Sequence, residues 1–330
     1  MRGIISNNTI KSTAILTLTA MIWGFAFVAQ RSSMEHVGPF LFCSIRSILG
    51  GLTLVVFLLI RNRINNPGRL KNSTDQDLES KTSASLALNR KNLIIGGCAC
   101  GFILFAGSNF QQVGLVFTTA SKAGFITTLY IVLVPIFGLL LRYKTHWNSW
   151  TGVLLAAIGL YFLCISDTFD IQPGDLTVLC GAAFWAIHIL VIAHFVKRVN
   201  AVHLSCLQFF VCGILSLTVM FFADHHFNAE VNLQSIISIL PAILYTGILS
   251  SGVGFTLQAV GQKYANPTAA SIIMSTEAVF SVVGGFLILG ERFTPREFLG
   301  CVLMFIAVLL AQLPVKSKLD SAQNQTGSQE

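Results

Sequence analysis

Of the 330 residues, 54% are hydrophobic and only 11% are charged, less than half the roughly 25% usual in soluble domains. The apolar residues run in long blocks without the strict alternation of barrel strands, which excludes a soluble globular domain and an outer-membrane barrel. The net charge of +7 lies in the short segments between blocks, so it speaks for membrane orientation and against a nucleic-acid surface.

In chain order the blocks are 12–32, 39–60, 92–113, 120–141, 149–166, 175–196, 202–223, 236–260, 267–290 and 295–314. Each is close to the roughly 20 residues that cross a bilayer as a helix. The predicted fold is therefore an all-α integral membrane protein with ten transmembrane helices. The first block is too long for the apolar core of a signal peptide, and "AMIWGFAFVAQRSS" offers no convincing small-x-small cleavage site, so it reads as helix 1. Residues 61–91 are polar and basic and read as a flexible solvated loop, with contact to anionic lipid as the alternative. The tail, 315–330, reads as disordered.

With the N-terminus inside, ten helices return the C-terminus inside. The inner segments then hold Arg2 and Lys11; Arg61, Arg63, Arg69, Lys71, Lys81, Arg90 and Lys91; Arg142 and Lys144; Lys197 and Arg198; Lys263; Lys316 and Lys318. The outer loops hold only Arg31, Lys122, Arg292 and Arg296. This bias predicts cytoplasmic termini. The cysteines (43, 98, 100, 164, 180, 206, 212, 301) all fall in or beside apolar blocks, which argues against a disulfide framework. Cys98 and Cys100 lack the second pair a zinc site needs.

The chain resembles itself. Trp23/Trp185, Arg46/Gln208 and Gly51/Gly213 are 162 apart; Gly107/Gly254, Gln111/Gln258, Gly114/Gly261, Ala123/Ala270, Val132/Val279 and Gly138/Gly285 are 147 apart. The difference is the longer loop after helix 2. Five helices per half make the second half enter the membrane from the opposite side, an inverted repeat of the kind used for alternating access. The expected organisation is a cytoplasmic N-terminus (1–11), a first repeat (12–166, helices 1–5), a second repeat (174–314, helices 6–10) and the tail.

"AMIWGFAFVAQ", "TTASKAGFITTLYIVLVPIFGLLL", "GDLTVLCGAAFWAIHIL" and "SIIMSTEAVFSVVGGFLILGERFTPREFLGCVLMFIAVLL" together resemble the EamA family of the drug/metabolite transporter superfamily, over about 12–312. The resemblance implies a ten-helix inner-membrane transporter, with many relatives exporting amino acids or other small metabolites. Where that family often reads E-P-V-F, this chain has Glu277-Ala278-Val279-Phe280, which predicts a less kinked helix 9.

Ionisable groups inside spans are costly and normally face protein or a water-filled cavity. Glu277 lies mid-helix 9 beside Ala270, Ser281, Gly284 and Gly285, a small-residue stripe that admits a neighbouring helix. It has two readings: contact with a substrate amine or a coupling proton, or a carboxyl hydrogen-bonded across helices that holds the bundle. Its counterpart at offset 147 is Tyr130, expected to face it. Arg46, about 10 Å below the surface by helical rise, would snorkel, pair with a carboxylate, or bind a substrate carboxylate; its counterpart Gln208 is uncharged. Trp23 and Trp185 lie inside their spans, with His188 one turn from Trp185. They read as an aromatic wall for an amphipathic solute or as core packing. Asn109, Gln111, Gln112, Tyr245 and Gln258 are further polar groups, lining the cavity or bonding between helices.

The sequence therefore reads as an inner-membrane secondary transporter of a small metabolite, an amino acid or derivative, acting as an exporter. Helices 1, 3, 4, 6, 8 and 9 are expected to line the site, with helices 5 and 10 peripheral. The alternative is uptake of a nucleotide-like or methyl-donor solute. No Ser-His-Asp set, H-E-x-x-H or metal-spaced cluster occurs, and no G-x-x-x-x-G-K-[ST]. Neither an enzyme, a cofactor, an ATP-driven pump nor a nucleic-acid partner is expected. The partners are the solute, the bilayer and, where transport is coupled, protons.

Overall fold

The computed structural model describes residues 7–65, 76–118, 120–143, 147–164, 173–227, 233–289 and 294–311. Every element is helical, and no strand occurs among the described residues. In order they are α1 (Asn7–Ser33), α2 (Pro39–Asn65), α3 (Gln76–Phe117), α4 (Ala120–Thr128), α5 (Tyr130–Leu140), α6 (Trp147–Cys164), α7 (Pro173–Phe195) and α8 (Ala201–Ala223). A 3-10 turn (Asp224–Phe227), α9 (Leu233–Ser238), α10 (Leu240–Leu244), a π segment (Tyr245–Gly254) and α11 (Phe255–Gln262) follow. α12 (Pro267–Met274), α13 (Glu277–Leu289) and α14 (Pro295–Ala311) close the fold.

Proline marks several starts. α2, α7, α12 and α14 each open on one, where its missing N–H has no intrahelical acceptor to lose. Asn200 and Asn266 cap α8 and α12 with their side chains.

Seven described helices are long and apolar enough to cross a membrane, and three shorter apolar ones lie at Ser149–Phe162, Pro267–Val283 and Phe298–Ala311. The burial pattern is inverted relative to a soluble protein. Large apolar side chains such as Phe57, Phe102, Leu154, Phe221 and Phe305 face outward, while Gln112, Gln208, Gln262 and His188 are fully buried. Exposed apolar surface of this extent belongs against lipid.

α3 packs along α7, α6 along α14, and α2 along α8. α1 lies against α13, α11 and the π segment. The main core gathers Leu16, Tyr130, Ile131, Val134, Ile272 and Met274 with partners from α6, α7 and α14.

Three expectations are corrected. The polar stretch 61–91 is largely helical: α2 runs to Asn65 and α3 starts at Gln76. From 76 to 95 the chain has no Gly or Pro, and Leu, Ala, Lys, Arg, Gln and Glu together make up more than half of it, so propensity carries the helix beyond the apolar block. Residues 66–75 and 312–330, the rest of that loop and the tail, lie outside the described residues. The block 236–260 is not one regular helix but passes through a ten-residue π segment. Finally, the helix at Glu277 is interrupted without a proline, for a reason given below.

Candidate functional site

A cavity of about 50 Å³ lies among the helices, smaller than the roughly 300–1,000 Å³ of sites that enclose a small molecule. α1 contributes Trp23, Ala26, Phe27 and Gln30, α2 contributes Arg46, and α3 contributes Gln111. Thr127 and Tyr130 come from α4 and α5, and Trp185 and Ile189 from α7. The π segment, α11 and α13 complete it with Ser250, Phe255, Gln258 and Glu277. Helix 2 thus joins the expected lining helices. α6 and α14 stay outside it, packed on each other.

Glu277 is the first residue of α13 and is 3% exposed. Tyr130 donates its hydroxyl to Glu277 Oε1 at 3.0 Å. The two residues paired by the 147 offset therefore meet. The interruption before Glu277 comes from hydroxyls. Ser275 Oγ donates to Ile272 O at 2.7 Å and Thr276 Oγ1 to Ile273 O at 2.6 Å. Thr276 N and Ala278 N turn back to Ile273 O and Ser275 O, three residues away. Side-chain back-bonding of this kind competes with the helix ladder and tightens the turn. A matching break stands at Leu129, whose N–H reaches Ile126 O at 3.2 Å, directly before Tyr130. Both polar groups therefore sit at the start of a new helical segment.

The small residue that admits a helix beside Glu277 lies on the facing helix. A Cβ on Gly24 of α1 would come within 2.6 Å of Glu277 O and of Phe280 Cβ. Of the expected stripe, Ala270 is buried and Ser281 half-buried; the surroundings of Gly284 and Gly285 lie outside the described residues.

The aromatic wall is built around a residue the sequence did not single out. Phe255 packs against Trp23 (ring centroids 4.6 Å apart), Phe209 (5.3 Å), Trp185 (5.8 Å) and His188 (5.9 Å). Trp185 Nε1 donates to Gln111 Oε1 at 2.9 Å, and Trp23 Nε1 to Ser250 O at 3.3 Å. His188 is fully buried, edge-on to Trp185, with Nε2 3.0 Å from Gln208 Oε1.

Arg46 is 6% exposed. Its Nη1 donates to Gln30 Oε1 at 3.0 Å, and its guanidinium lies 5.9 Å from the Phe42 ring centre. Its Nε has no acceptor. Among the described residues no carboxylate forms an ion pair with it.

The cavity thus brings together Glu277, Trp23, Tyr130, Trp185, Arg46 and Gln258 from the expected set, with Gln111. His188 and Gln208 stand behind the wall, paired with each other. Asn109 donates to Phe105 O and Ser216 Oγ, both at 2.8 Å, and Tyr245 donates to Ile22 O at 2.8 Å. The bond to Phe105 lies within α3 and the other two run from helix to helix, all away from the lining. Gln30, Thr127, Ser250 and Phe255 were missed. Thr127 and Phe255 carry a signal in hindsight, each about one turn from a residue already chosen, Tyr130 and Gln258, and Gln30 lies two turns from Trp23. Ser250 enters only through its place in the π segment.

The EamA-like transporter family matches residues 11–165 and again 172–313. The chain belongs to the EamA-like transporter family. An uncharacterized transporter of Archaeoglobus fulgidus is 32% identical over 91% of this chain and 85% of its own length. The uncharacterized transporter YoaV of Bacillus subtilis is 23% identical over 90% and 94%. The uncharacterized inner membrane transporter YedA of Escherichia coli K12 is 21% identical over 89% and 88%. One solved crystal structure superposes with a TM-score of 0.69 at 17% identity, covering 91% of this chain and 96% of the other, which shows a shared fold. As an EamA-like family member this is a membrane-spanning, all-helical transporter protein.

Proposed function

We propose that the chain is a secondary transporter exporting a small metabolite, an amino acid or derivative, across a bacterial inner membrane by alternating access. Its ten spans form two inverted five-helix repeats, 12–166 and 174–314, with both termini cytoplasmic. The observation that carries the reading is the Tyr130–Glu277 hydrogen bond. One cavity takes equivalent positions from each half, as a site between rocking repeats requires. The double family match and the packing of α2 on α8 and α6 on α14, elements equivalent under the repeat, support it. So does the correspondence of the ten apolar blocks with seven long and three shorter helices.

The two halves hold their tryptophans differently. Trp185 bonds Gln111, whereas Trp23 bonds Ser250 O and leaves Gln258 Oε1 without a donor. Gln258 is the counterpart of Gln111, so in the opposite-facing state Trp23 takes Gln258 and Trp185 releases Gln111. The solute passes unchanged, and its apolar body packs on Trp23, Trp185 and Phe255. Glu277 either carries a coupling proton or meets a donor group of the solute.

The test is efflux from proteoliposomes loaded with a mixed pool of amino acids and other metabolites, read by mass spectrometry. Saturable loss of a few solutes from vesicles with protein, absent from empty vesicles, is expected. Unselective or unsaturable leakage would contradict a carrier.

A further inference from the structure

The two halves differ at two neighbouring equivalent positions. In the second half, Gln208 Oε1 and His188 Nε2 are 3.0 Å apart, and the imidazole is fully buried. The residues 162 earlier are Arg46 and Ala26, and both line the cavity. The first half has therefore exchanged a neutral amide for a guanidinium and an imidazole for a methyl group. What remains is a cationic donor and a methyl group on the cavity lining where the other half holds an amide and a ring.

Arg46 is not otherwise neutralised. It is 6% exposed, Nη1 donates to the neutral Gln30, and Nε lacks an acceptor. A buried cation without a counter-charge is costly. A guanidinium presents paired N–H donors that match the two oxygens of a carboxylate. A single cation neutralises one negative charge and would leave a dianionic phosphate uncompensated. Glu277, the other ionisable group on the lining besides Tyr130, offers acceptors and so directs an anion to Arg46.

We propose that Arg46 is the receptor for a monoanionic carboxylate on the solute, seated over Ala26 in the space that His188 occupies in the other half. This rests on the transport and repeat reading above and narrows its substrate class to organic carboxylates with an apolar body.

The experiment titrates purified protein in nanodiscs with 3-phenylpropanoate and with its neutral amide, following intrinsic tryptophan fluorescence, since Trp23 and Trp185 line the cavity. Wild type is expected to bind the acid about tenfold or more tightly than the amide. Arg46→Gln is expected to bring the two to one affinity. Arg46→Lys, which keeps the charge but loses the fork, weakens acid binding while retaining selectivity, and it stands in should Arg46→Gln fail to fold. Equal binding of acid and amide by wild type, binding of neither, or selectivity surviving in folded Arg46→Gln would each overturn the proposal. Acid selectivity without solute movement in proteoliposomes would remove the transport reading and leave this one. Movement of solutes without acid selectivity would do the reverse.

Discussion

Asp224→Ala is expected to loosen the start of α2. Asp224 accepts from Phe40 N at 3.1 Å and Leu41 N at 2.8 Å, the second and third residues of that helix. Phe42 N bonds Gly38 O at 3.1 Å, so Gly38 holds the N-cap position and its missing side chain is supplied from α8's end. α8 itself uses the local solution. Asn200, 162 residues after Gly38, accepts from Val202 N at 2.9 Å and His203 N at 3.4 Å. Loss of a cap costs about 0.5–2 kcal/mol, and an anion at a helix N-terminus adds about 0.3–1 kcal/mol. With Asp224 only 7% exposed, water replaces it poorly, and a loss of about 1–3 kcal/mol follows. Gly38→Asn alone is also unfavourable, because a Cβ there would overlap the Asp224 carboxyl. The backbone at Gly38 is outside the left-handed region, so an L residue fits once the carboxyl is gone. The double variant should therefore recover a local cap and unfold at a higher temperature than either single variant. Thermal unfolding in detergent, followed with a thiol-reactive dye that reports buried Cys43 and Cys212, measures all four corners of the cycle. Additive single effects, or an Asp224→Ala protein as stable as wild type, would refute the borrowed cap.

Two further variants address the cavity. Tyr130→Phe keeps the ring and removes the donor to Glu277; a stability loss of about 1–3 kcal/mol is expected for the stranded carboxyl, together with a reduced transport rate in protein that still purifies monodisperse. Gly24→Ala places a methyl 2.6 Å from Glu277 O and Phe280 Cβ, so α1 and α13 must part at an over-packing cost of about 1–3 kcal/mol. Gly124→Ala, with nothing within 4 Å of the added carbon, is the control and should be neutral or slightly stabilising by the same unfolding assay.

Much of this site was readable because local chemistry and tertiary placement agree. The apolar blocks carried the helices, and the prolines at 39, 173, 267 and 295 stand where α2, α7, α12 and α14 open. The 147 offset paired Tyr130 with Glu277 before any contact was known. The unreadable parts depend on which groups meet in space. Ser275 and Thr276 break their helix by bonding to their own preceding turn, a choice that neighbouring helices decide. The missing Glu-Pro motif therefore misled about the kink. The π segment at Tyr245–Gly254 leaves no periodic trace in a stretch apolar on most sides. His188 shares a helix face with Trp185, yet its ring is engaged by Gln208 from α8, and only that packing moves it behind the wall. The cap on α2 comes from a residue 184 positions from Phe40, beyond any local pattern.

The most direct test of alternating access through this cavity is counterflow in proteoliposomes, using the solute that the mixed-pool efflux identifies, for wild type and Glu277→Gln. The account predicts that unlabelled solute on one side accelerates transient uptake of labelled solute from the other in wild type. It also predicts that Glu277→Gln, folded by the same unfolding assay, alters the rate or its dependence on a proton gradient. Labelled uptake indifferent to solute on the opposite side, or a folded Glu277→Gln protein identical to wild type at every pH, would contradict it.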